Sequence, residues 1–469
     1  MKICMIAEGC YPFITGGVSS WIQSMIKSFP EHEYIILAIA ADRSYRGRYA
    51  YELPENVSAV YEVYLNDLDW DRKRGKVRLT RQEYSGLRSI VLNTQTDWDT
   101  VYRLFQKDFS IDDLLMGKDF LDIATELYEK QYPEITFSDF LWTLRSIYLP
   151  LFIVLKTKLP KADLYHCVAT GYSGILGCMG KSLYGGRLLI SEHGIYTRER
   201  EEEIIKASWV KGVYKNIWIR QFQKLSREAY NRCDFVTGLF AHARELQIEL
   251  GCPPAKALVT PNGIDPSRYA DCKGKTEEDE NYFNIGAVLR IAPIKDVKTL
   301  IQAFYEAKKR NDRLKLWIMG PANDEQEYAD ECEAMVKNLG IQDVVFTGRI
   351  NPVDYLGRMD CTILTSISEG QPLTILEGYA AHKPAIATDV GNCRGLIYGE
   401  NDGIGSSGIL THIMNSQEIA AAMLYMARHP DETKQMGENG YKRLMKRYTL
   451  TKMHKRYDEI YKALQKEMK

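Results

Sequence analysis

The sequence predicts an α/β protein made of two doubly wound, parallel-sheet domains. Three observations predict this class. The chain has 469 residues, which is more than one hydrophobic core usually supports. Short apolar strands alternate with helical stretches in two separate series. A polar, charged stretch without apolar periodicity, DCKGKTEEDENY at 271–282, separates the two series and is the expected linker.

The first series opens with the strand KICMIAEG, the Gly/Pro loop CYPFITGG and the helix VSSWIQSMIKSF. This order is typical of the start of a parallel α/β sheet. Further strands are predicted at YIILAIA, VSAVYEVY, DLYHCVA, RLLISEHG, DFVTGLF and ALVTPNG. Residues 67–159 depart from this rhythm, and we expect them to form a mainly helical insertion.

The second series contains the predicted strands FNIGAVLR, LKLWIMG, DVVFTGR, CTILTS and PAIATDV. We therefore expect an N-terminal domain at 1–275 and a C-terminal domain at 276–449. A basic helix at about 450–469 is expected to rejoin the first domain. In doubly wound folds, ligands bind outside the carboxyl ends of the strands, so we expect a site in a cleft between two facing domains.

Composition narrows the classes of partner and the compartment. Lys+Arg 61 against Asp+Glu 62 gives a net charge of -1, which offers no global attraction for nucleic acid. The 10 cysteines include no C-x-x-C pair, which indicates a reducing compartment. The start of the chain does not resemble a signal peptide, and the longest apolar run, IYLPLFIVL at 147–155, is predicted to be a buried helix rather than a membrane span. We expect a cytoplasmic protein, recruited to the inner face of the membrane by partners.

The stretch SISEGQPLTILEGYA carries two carboxylates, Glu369 and Glu377, after a predicted strand. Pro372 suits the first position of a helix and leaves the amides of Leu373 and Thr374 free to bind a phosphate. One carboxylate can accept hydrogen bonds from sugar hydroxyls and the other from a ribose diol. The alternative is that Glu369 caps the helix and Glu377 lies on a solvated face.

Three further groups lie at or after the ends of predicted strands. Arg290 and Lys295 can neutralise a diphosphate, although single exposed cations are common. Gly16 and Gly17 let the backbone approach a ligand at the start of the first helix, although a plain tight turn explains them nearly as well. His193 ends a strand in EHG, where its alternatives are a cleft residue and a buried, hydrogen-bonded histidine.

Two stretches offer other functions. Asp67, Asp69 and Asp71 in NDLDWD resemble a metal-binding Asp-x-Asp, but acidic loop residues are abundant, and we predict solvated surface and no metal. The stretch 206–224 interleaves Lys and Arg with Trp and Tyr, as interfacial helices do. An amphipathic helix packed on its own domain explains it equally well.

Taken together, the Gly-Gly loop, EHG, VTPNGID, the Arg290/Lys295 pair, VVFTGRI and EGQPLTILEGYA resemble the retaining GT-B glycosyltransferases of glycosyltransferase family four. IAEGCYPFITGGVSSWI and ISEHGIYTRERE resemble the PelF branch, which acts in Pel-type exopolysaccharide synthesis. The resemblance covers nearly the whole chain outside 67–159. It implies a GT-B fold with two Rossmann-like domains facing a cleft.

The resemblance implies transfer of a hexosyl or N-acetylhexosaminyl unit from a UDP-sugar to a saccharide acceptor, with retention and without a metal or other cofactor. Its implied partners are membrane-bound export or synthase proteins. The implied contacts are Glu369 with sugar hydroxyls, Glu377 with the ribose, Arg290 and Lys295 with the diphosphate, His193 near the sugar, Gly17 at the phosphates, and the backbone around Arg349 and Ile350 against the base.

One departure from the family pattern concerns Gln371 and Pro372, which stand where the family has Phe-Gly. Backbone contacts to the transferred sugar at Gln371, Pro372, Leu373 and Thr374 are therefore expected to differ, and the identity of the sugar stays open. Two alternatives of another kind also stay open. One is a UDP-sugar epimerase that uses the same diphosphate site, and the other is a non-catalytic scaffold of a polysaccharide synthase complex.

Overall fold

The structure, a computed structural model, describes residues 1–67, 75–210, 212–322 and 325–466. The chain divides into two compact units. The first comprises Met1–Val259 and the end of the chain from Ile460, and the second comprises Thr260–Glu459. Each unit contains one sheet whose paired strands are all parallel. The predicted class, two doubly wound α/β units, is confirmed.

The sheet of the first unit has the order β3-β2-β1-β4-β5-β6-β7. Every strand predicted in the first series is present. The strands are β1 Lys2–Glu8, β2 Glu33–Ala40, β3 Val57–Tyr64, β4 Leu164–Cys167, β5 Arg187–Ser191, β6 Phe235–Gly238 and β7 Ala257–Val259. β1 pairs with β2 on one side and β4 on the other, so the strand order reverses between β1 and β4.

The helices of this unit cover the sheet and form the insertion. They are α1 Gly17–Ser28, α2 Arg81–Val91, α3 Trp98–Phe105, α4 Ile111–Leu115, α5 Lys118–Gln131, α6 Phe137–Leu155, α7 Tyr172–Tyr184, α8 Tyr196–Lys206, α9 Val213–Arg232 and α10 Ala241–Glu249. α1 buries Trp21, Ile22, Met25 and Ile26, a spacing of three to four residues that places them on one helical face.

The insertion is mainly helical, as predicted, because α2 to α6 fill its described part. Leu87, Tyr102, Phe120 and Phe152 from these helices are buried in the same core as Ile6 of β1. The insertion is therefore part of the first unit's core and not an appendage.

The apolar run predicted at 147–155 belongs to α6, which is 19 residues long and contains Pro150. Among the described residues, α6 is the one helix whose length and composition would suit a membrane span. In the most apolar 18-residue stretch of α6, 50% is buried inside this fold. This burial agrees with the prediction of a core helix.

The sheet of the second unit has the order β10-β9-β8-β11-β12-β13. The strands are β8 Phe283–Val288, β9 Leu314–Met319, β10 Val344–Gly348, β11 Cys361–Leu364, β12 Ala385–Thr388 and β13 Gly408–Thr411. The five predicted strands are present. β13 was not predicted, because its sequence, GILT, is short and starts with a glycine.

Helices on both sides of this sheet complete the second unit. They are α11 Val297–Lys308, α12 Gln326–Asn338, α13 Val353–Leu356, α14 Leu373–Ala380, α15 Cys393–Tyr398, α16 Ser416–Arg428, α17 Pro430–Arg447 and α18 Leu450–Lys466. The expected C-terminal helix is α18, and its residues from Ile460 belong to the first unit. There the Tyr461 hydroxyl lies 2.8 Å from His166 Nδ1.

The predicted domain boundary after residue 275 is too late, because the second unit already begins at Thr260. The stretch expected to be a free linker is anchored in that unit. Asp279 is buried and pairs with Lys315 at 3.0 Å and with Arg358 at 2.5 Å. The polar composition of 271–282 therefore reflects a buried ion network as well as exposed loop.

The stretch 206–224 does not form the single helix that an interfacial segment would need. α8 ends at Lys206 and α9 begins at Val213. Trp218 and Phe222 of α9 are buried in the first unit, which favours the packing alternative for this helix. Trp209, between the two helices, is 69% exposed.

Candidate active site

Three loops at the carboxyl edge of the second sheet are bonded to one another. The sheet order reverses between β8 and β11, and in doubly wound folds such a switch point is where ligands bind. After β11, Thr365 Oγ1 donates to the Lys295 carbonyl at 3.0 Å, and the Ile367 amide donates to the Ile294 carbonyl at 2.9 Å. Thr388 Oγ1 at the end of β12 donates to the Ser366 carbonyl at 2.6 Å. The loops are thus fixed at the expected place.

Lys295 and Glu369 meet in this cluster. Lys295 Nζ lies 2.5 Å from Glu369 Oε1, and Ser366 Oγ donates to the same oxygen at 2.6 Å. The Lys295 side chain is 20% exposed and that of Glu369 is 12% exposed. The helix-capping alternative for Glu369 is not what the structure shows, because the carboxylate bonds to a cation and a hydroxyl.

Arg290 follows β8 directly and is exposed. It makes no ion pair with any residue that the structure describes. Its guanidinium is therefore available to an anion near the switch point, where an arginine can bind two oxygens of one phosphate at once.

The helix α14 begins one residue later than expected. Pro372 is the N-cap, with φ −69° and ψ 114°, and is not the first helical residue. Because a proline side chain cannot accept a hydrogen bond, it leaves the amides of Leu373 and the residues after it without a side-chain cap. The predicted cluster of free amides at a positive helix end is thus retained, starting at Leu373.

The Gln371 side chain is bonded within the second unit. It is 6% exposed. Its Nε2 donates to the Asn262 carbonyl at 3.2 Å, and its Oε1 accepts from the Asn262 amide at 3.0 Å. The side chain therefore ties the NGID segment to the loop before α14 and is not free for a donor sugar. Asn262 takes part in this structural contact through its backbone amide and carbonyl.

Gly391 holds the opposite side of the same loop and was not predicted. Its φ is +52°, and a Cβ at this position would lie 2.2 Å from the Glu369 carbonyl oxygen. The next amide, that of Asn392, donates to the Gly370 carbonyl at 2.8 Å. The Gly-Asn pair after β12 was the available signal, because such pairs mark tight turns.

Glu377 lies inside α14, as predicted. Tyr269, which was not predicted, belongs to the same buried cluster as Leu376 of this helix. Burial raises the pKa of Glu377, and the neighbouring Tyr269 and Arg268 oppose that rise. Glu377 is therefore a partly buried carboxylate, and the solvated-face alternative does not describe it.

Arg349 and Ile350 follow β10, the edge strand of the second sheet, which β9 separates from β8. Arg349 is exposed. Ile350 is partly buried against Trp317, Met319 and Met359. The two residues therefore lie at the same carboxyl edge of the sheet as Lys295 and Glu369, in a separate loop that follows the edge strand.

In the first unit, Gly16 and Gly17 stand at the start of α1, at the carboxyl edge beside the β1/β4 switch point. Both are exposed, and a Cβ at either would meet no atom within 4 Å. Gly16 has φ 173°, which any residue adopts. Neither position needs a glycine for its backbone conformation or its packing. A tight turn therefore does not explain why glycine stands at both positions.

His193 follows β5 and packs edge-on against Trp21, with ring centroids 4.6 Å apart. Its Nε2 is buried without a hydrogen-bond partner. Burial lowers the pKa of His193 to about 4, so the imidazole is neutral at pH 7. A neutral imidazole with one unpaired nitrogen can form a hydrogen bond with a sugar hydroxyl. The buried-histidine alternative requires both ring nitrogens to have partners within the protein, and Nε2 has none among the described residues.

The residue before His193, Glu192, is a further buried carboxylate that sequence reasoning missed. It is 2% exposed. It accepts hydrogen bonds from Thr170 Oγ1 at 3.0 Å, Tyr230 Oη at 2.7 Å and Gln247 Nε2 at 3.0 Å. These bonds fix the strand end that carries His193. Its partners are distant in sequence, so no local pattern revealed it.

Metal ligation finds no support among the described residues, where no group of three or more His, Cys, Asp or Glu side chains converges. Of the acidic tract considered above, Asp67 forms an ion pair with Arg43 at 2.7 Å. Asp69 and Asp71 lie outside the described residues. Metal independence stays a prediction.

Two family models match the chain. The first, a domain of unknown function (DUF3492), covers residues 1–255, which is more than half of the 469 residues. The second, glycosyl transferases group 1, covers residues 270–443. The second match contains Arg290, Lys295, Glu369 and Glu377.

Curated relatives align with this chain over only part of their length. D-inositol 3-phosphate glycosyltransferase from Kineococcus radiotolerans is 26% identical over 224 residues, covering 43% of this chain and 51% of the relative. Trehalose synthase from Pyrococcus horikoshii is 28% identical over 227 residues, covering 45% and 53%. The chain thus spans about half the length of the curated relatives it matches.

Solved structures match over the whole chain. HepE from Anabaena, in complex with UDP and glucose, has a TM-score of 0.62 and 16% identity, and the match covers 99% of this chain and 100% of that one. At this identity the likeness shows the fold alone, and that fold is the predicted GT-B class with two Rossmann-like units. The chain belongs to the family defined by the N-terminal DUF3492 domain, and its C-terminal unit carries a glycosyl transferases group 1 domain.

Proposed function

We propose that this protein is a metal-independent, retaining glycosyltransferase that uses a UDP-sugar donor. The observation that carries the proposal is the pair of Lys295 and Glu369 at the β8/β11 switch point. The loop after β8 that carries Lys295 also carries the exposed Arg290, and the loop that carries Glu369 leads into α14. Cations and free helix amides suit a diphosphate. A carboxylate held beside them suits the hydroxyls of the attached sugar.

The nucleotide is assigned to the same unit. Glu377 is the fifth residue of α14, so it lies about one helical turn from the amides at the start of the helix. If the diphosphate of a nucleotide is bound at those amides, Glu377 is near enough to bind its ribose. The partly buried Ile350 and its neighbours at the end of β10 offer an apolar surface to the base. The neighbouring structure HepE was solved with UDP, and also with UDP-glucose, which supports a uridine donor here.

The chemistry follows from charge. The acceptor hydroxyl oxygen forms a bond to the anomeric carbon as the bond from that carbon to the diphosphate oxygen breaks. Arg290, Lys295 and the α14 amides stabilise the negative charge that develops on the departing UDP. The acceptor proton passes to an oxygen of the leaving diphosphate, so the products are a glycoside and UDP.

Retention is proposed through attack on the face from which UDP leaves. Glu369 is held by Lys295 and Ser366 at 2.5 and 2.6 Å, so it is an ion-paired hydrogen-bond acceptor and a poor nucleophile. A covalent glycosyl-enzyme through Glu369 is thus disfavoured. His193, neutral at pH 7 with a free Nε2, is proposed to bond to a hydroxyl of the transferred sugar.

The acceptor is proposed to be a growing exopolysaccharide of the Pel type, made in the cytoplasm and passed to membrane-bound export or synthase partners. The support is the likeness of IAEGCYPFITGGVSSWI and ISEHGIYTRERE to the PelF branch. Both stretches lie in the first unit, at the carboxyl edge of its sheet.

The test is UDP release by purified protein over a panel of UDP-hexoses and UDP-N-acetylhexosamines, with and without EDTA. We expect one donor to turn over with EDTA present, and we expect Glu369→Ala and Arg290→Ala to abolish that turnover. Conversion of a donor into an epimer without UDP release would replace transfer with the epimerase alternative. Binding without turnover of any donor would favour the scaffold, and absence of UDP binding would exclude the uridine assignment.

A further inference from the structure

A pocket in the first unit lies between the helices of the insertion and α9. Its walls come from the ends of α2 and α5, from α6 and from α9. It encloses about 30 Å³, which is room for about two waters or for one carboxylate group. None of the residues that the proposed function uses lines this pocket.

The pocket is basic. Lys224 of α9 is partly buried in its wall, and Arg220, about one helical turn earlier, is exposed beside it. None of the described residues that line the pocket is acidic. Neither cation pairs with a carboxylate in the part of the chain that the structure describes. A buried charge normally has a partner of the opposite sign, because its removal from water is costly. The pocket therefore lacks the negative charge that Lys224 would normally have beside it.

The Lys224 ammonium is held in place by three neutral acceptors. It donates to the Ile90 carbonyl, to Tyr148 Oη at 3.2 Å and to Gln221 Oε1 at 3.2 Å. Tyr148 Oη in turn donates to the Ile90 carbonyl at 2.9 Å. Burial lowers the pKa of Lys224 to about 7, and an anion beside it would favour the charged form. Lys224 thus offers a fixed charge, while its hydrogens are used within the protein.

Gln221 offers the unused hydrogen-bond donor. It lines the pocket and is 2% exposed, and its Nε2 has no partner among the described residues. Because its Oε1 accepts from Lys224, the two N–H groups of Nε2 are left for another acceptor. A buried donor without a partner is costly, so the pocket favours an occupant that accepts a hydrogen bond.

The rest of the wall is mainly apolar. Leu92, Leu144, Ile147 and Ile217 are buried there. An anion that carries charge on every side, such as phosphate, would lose its hydration against this wall without compensation. A carboxylic acid has its charge at one end and apolar carbon at the other, which matches a pocket with polar groups on one side only.

We propose that this pocket is a second ligand site, which binds the carboxylate of a small organic acid. The carboxylate accepts from Gln221 Nε2 and lies beside Lys224, and the carbon atoms next to it contact the apolar wall. Arg220 at the rim donates to the part of the ligand that faces solvent. The inference is independent of the proposed function, because the two use different residues.

The test is a titration of the full-length chain with propionate, followed by ligand-observed NMR at constant pH and ionic strength, with chloride as the balancing anion. We expect propionate to bind with a Kd of about 1 mM, an affinity that a ligand of this size can reach. Propionamide has the same shape and no charge, and we expect it to bind at least about 10-fold more weakly. This comparison uses wild type alone and does not depend on how a variant folds.

Variants assign the binding to this pocket. Lys224→Met should weaken propionate binding by about 10-fold, and Gln221→Leu by about 3- to 10-fold. Arg220→Met changes an exposed residue and should fold even where the other two do not, with a loss of about 3-fold. Gln223→Leu is the matched control, because Gln223 is exposed on α9 and does not line the pocket. Lys295→Met should also keep wild-type binding.

Three results would overturn the proposal. Absence of propionate binding below about 20 mM would show that the pocket holds water only. Equal binding of propionate and propionamide would show that charge is not recognised. Wild-type affinity in Lys224→Met and Arg220→Met, with a loss in Lys295→Met, would place the carboxylate in the second unit.

Discussion

Lys295 and Glu369 are separated by 74 positions in the chain and by 2.5 Å in the fold. The sequence predicted each as a binding residue, because each follows a strand of the second series. It did not predict that they would pair. The pairing matters for function, since it holds the ammonium and the carboxylate on one side of the β8/β11 switch point before any ligand binds.

Replacing Lys295 by methionine removes a cation while keeping a side chain of similar length. We expect kcat for UDP-sugar turnover to fall by about 100-fold, the usual loss when one donor to a developing anion is removed. Lys298→Met is the matched control, because Lys298 is 43% exposed and pairs with Glu331 outside the cluster. Steady-state kinetics that show equal losses in both variants would contradict the role of Lys295.

Residue types and strand ends predict Arg290, Lys295, Glu369 and Glu377 as site residues, and the structure brings Lys295 and Glu369 into contact. They were not enough to predict what Gln371 and Tyr269 do. Gln371 bonds to Asn262 and Tyr269 packs with Leu376 of α14, and each contact joins positions more than a hundred residues apart. Such contacts depend on tertiary packing and leave no local pattern in one sequence.

At the scale of the element, the loop before α14 is held in place by the turn after β12. Gly391→Ala forces a side chain into a left-handed backbone at φ +52° and into contact with the Glu369 carbonyl at 2.2 Å. We expect turnover to fall by about 100-fold, since small displacements of reacting groups have effects of that size.

Gly403→Ala provides the control for that change. Gly403 also has a left-handed φ, +70°, but a Cβ there meets nothing within 4 Å. It should lose about 1 kcal/mol of stability through backbone strain alone and keep its turnover. Normal turnover in Gly391→Ala would show that the turn does not hold the Glu369 loop.

The segment 276–283 is an element whose stability depends on one buried ion network. Burial alone would raise the pKa of Asp279, but its bonds to Arg358, Lys315 and Thr276 outweigh burial and lower it. Asp279→Ala leaves two cations without this partner, and we expect a loss of about 3 kcal/mol in the free energy of unfolding.

Denaturant unfolding of Asp279→Ala and of Glu278→Ala measures that loss. Glu278 is exposed, and its removal should change the free energy of unfolding by less than about 0.5 kcal/mol. An Asp279 variant as stable as the Glu278 variant would show that this segment is the free linker that its composition indicates.

β4 and β5 bury a histidine whose charge state depends on folding. His166 is fully buried, with Nδ1 2.8 Å from Tyr461 Oη and Nε2 2.8 Å from Ser191 Oγ. Burial, with a smaller effect of His193, lowers the pKa of His166 to about 3. The unfolded chain binds this proton near pH 6.5 and the folded chain does not. Stability from this residue is thus present above pH 6.5 and is lost as pH falls from there towards 3.

Between about pH 7 and about pH 5.5, His166 should contribute a loss of about 1 kcal/mol in the free energy of unfolding. Over the same pH interval, the free energy of unfolding of His166→Gln should fall by about 1 kcal/mol less than that of the wild type. Hydrogen exchange of the β4 amides measures both values. Identical pH dependence in wild type and His166→Gln would contradict a neutral His166 in the folded state.

The strands were predictable because parallel strands buried on both faces appear as continuous apolar runs. β1, with five buried residues from Ile3 to Ala7, is an example. β13 was not predictable, because four residues starting with glycine lack that pattern. The split of 206–224 into α8 and α9 was also missed, since a break at Gly212 resembles a tolerated helical glycine.

At the scale of the whole molecule, two series of strands and helices predicted two doubly wound sheets, and both are present. The boundary between them was predicted 16 residues too late, at 275 instead of 259. The reason is physical. A buried ion network and an exposed linker have the same polar composition, and only the contacts of Asp279 and Tyr269 distinguish them.

The proposed transfer of a sugar from UDP with retention is measured by NMR of a donor labelled with carbon-13 at the anomeric carbon. The donor is the UDP-sugar that the release panel selects, incubated with the protein and a saccharide acceptor. We expect the label to move into a glycoside with the anomeric configuration of the donor, and we expect Lys295→Met to slow this transfer. A label that appears in the opposite configuration, or only in an epimerised UDP-sugar, would overturn the proposed reaction.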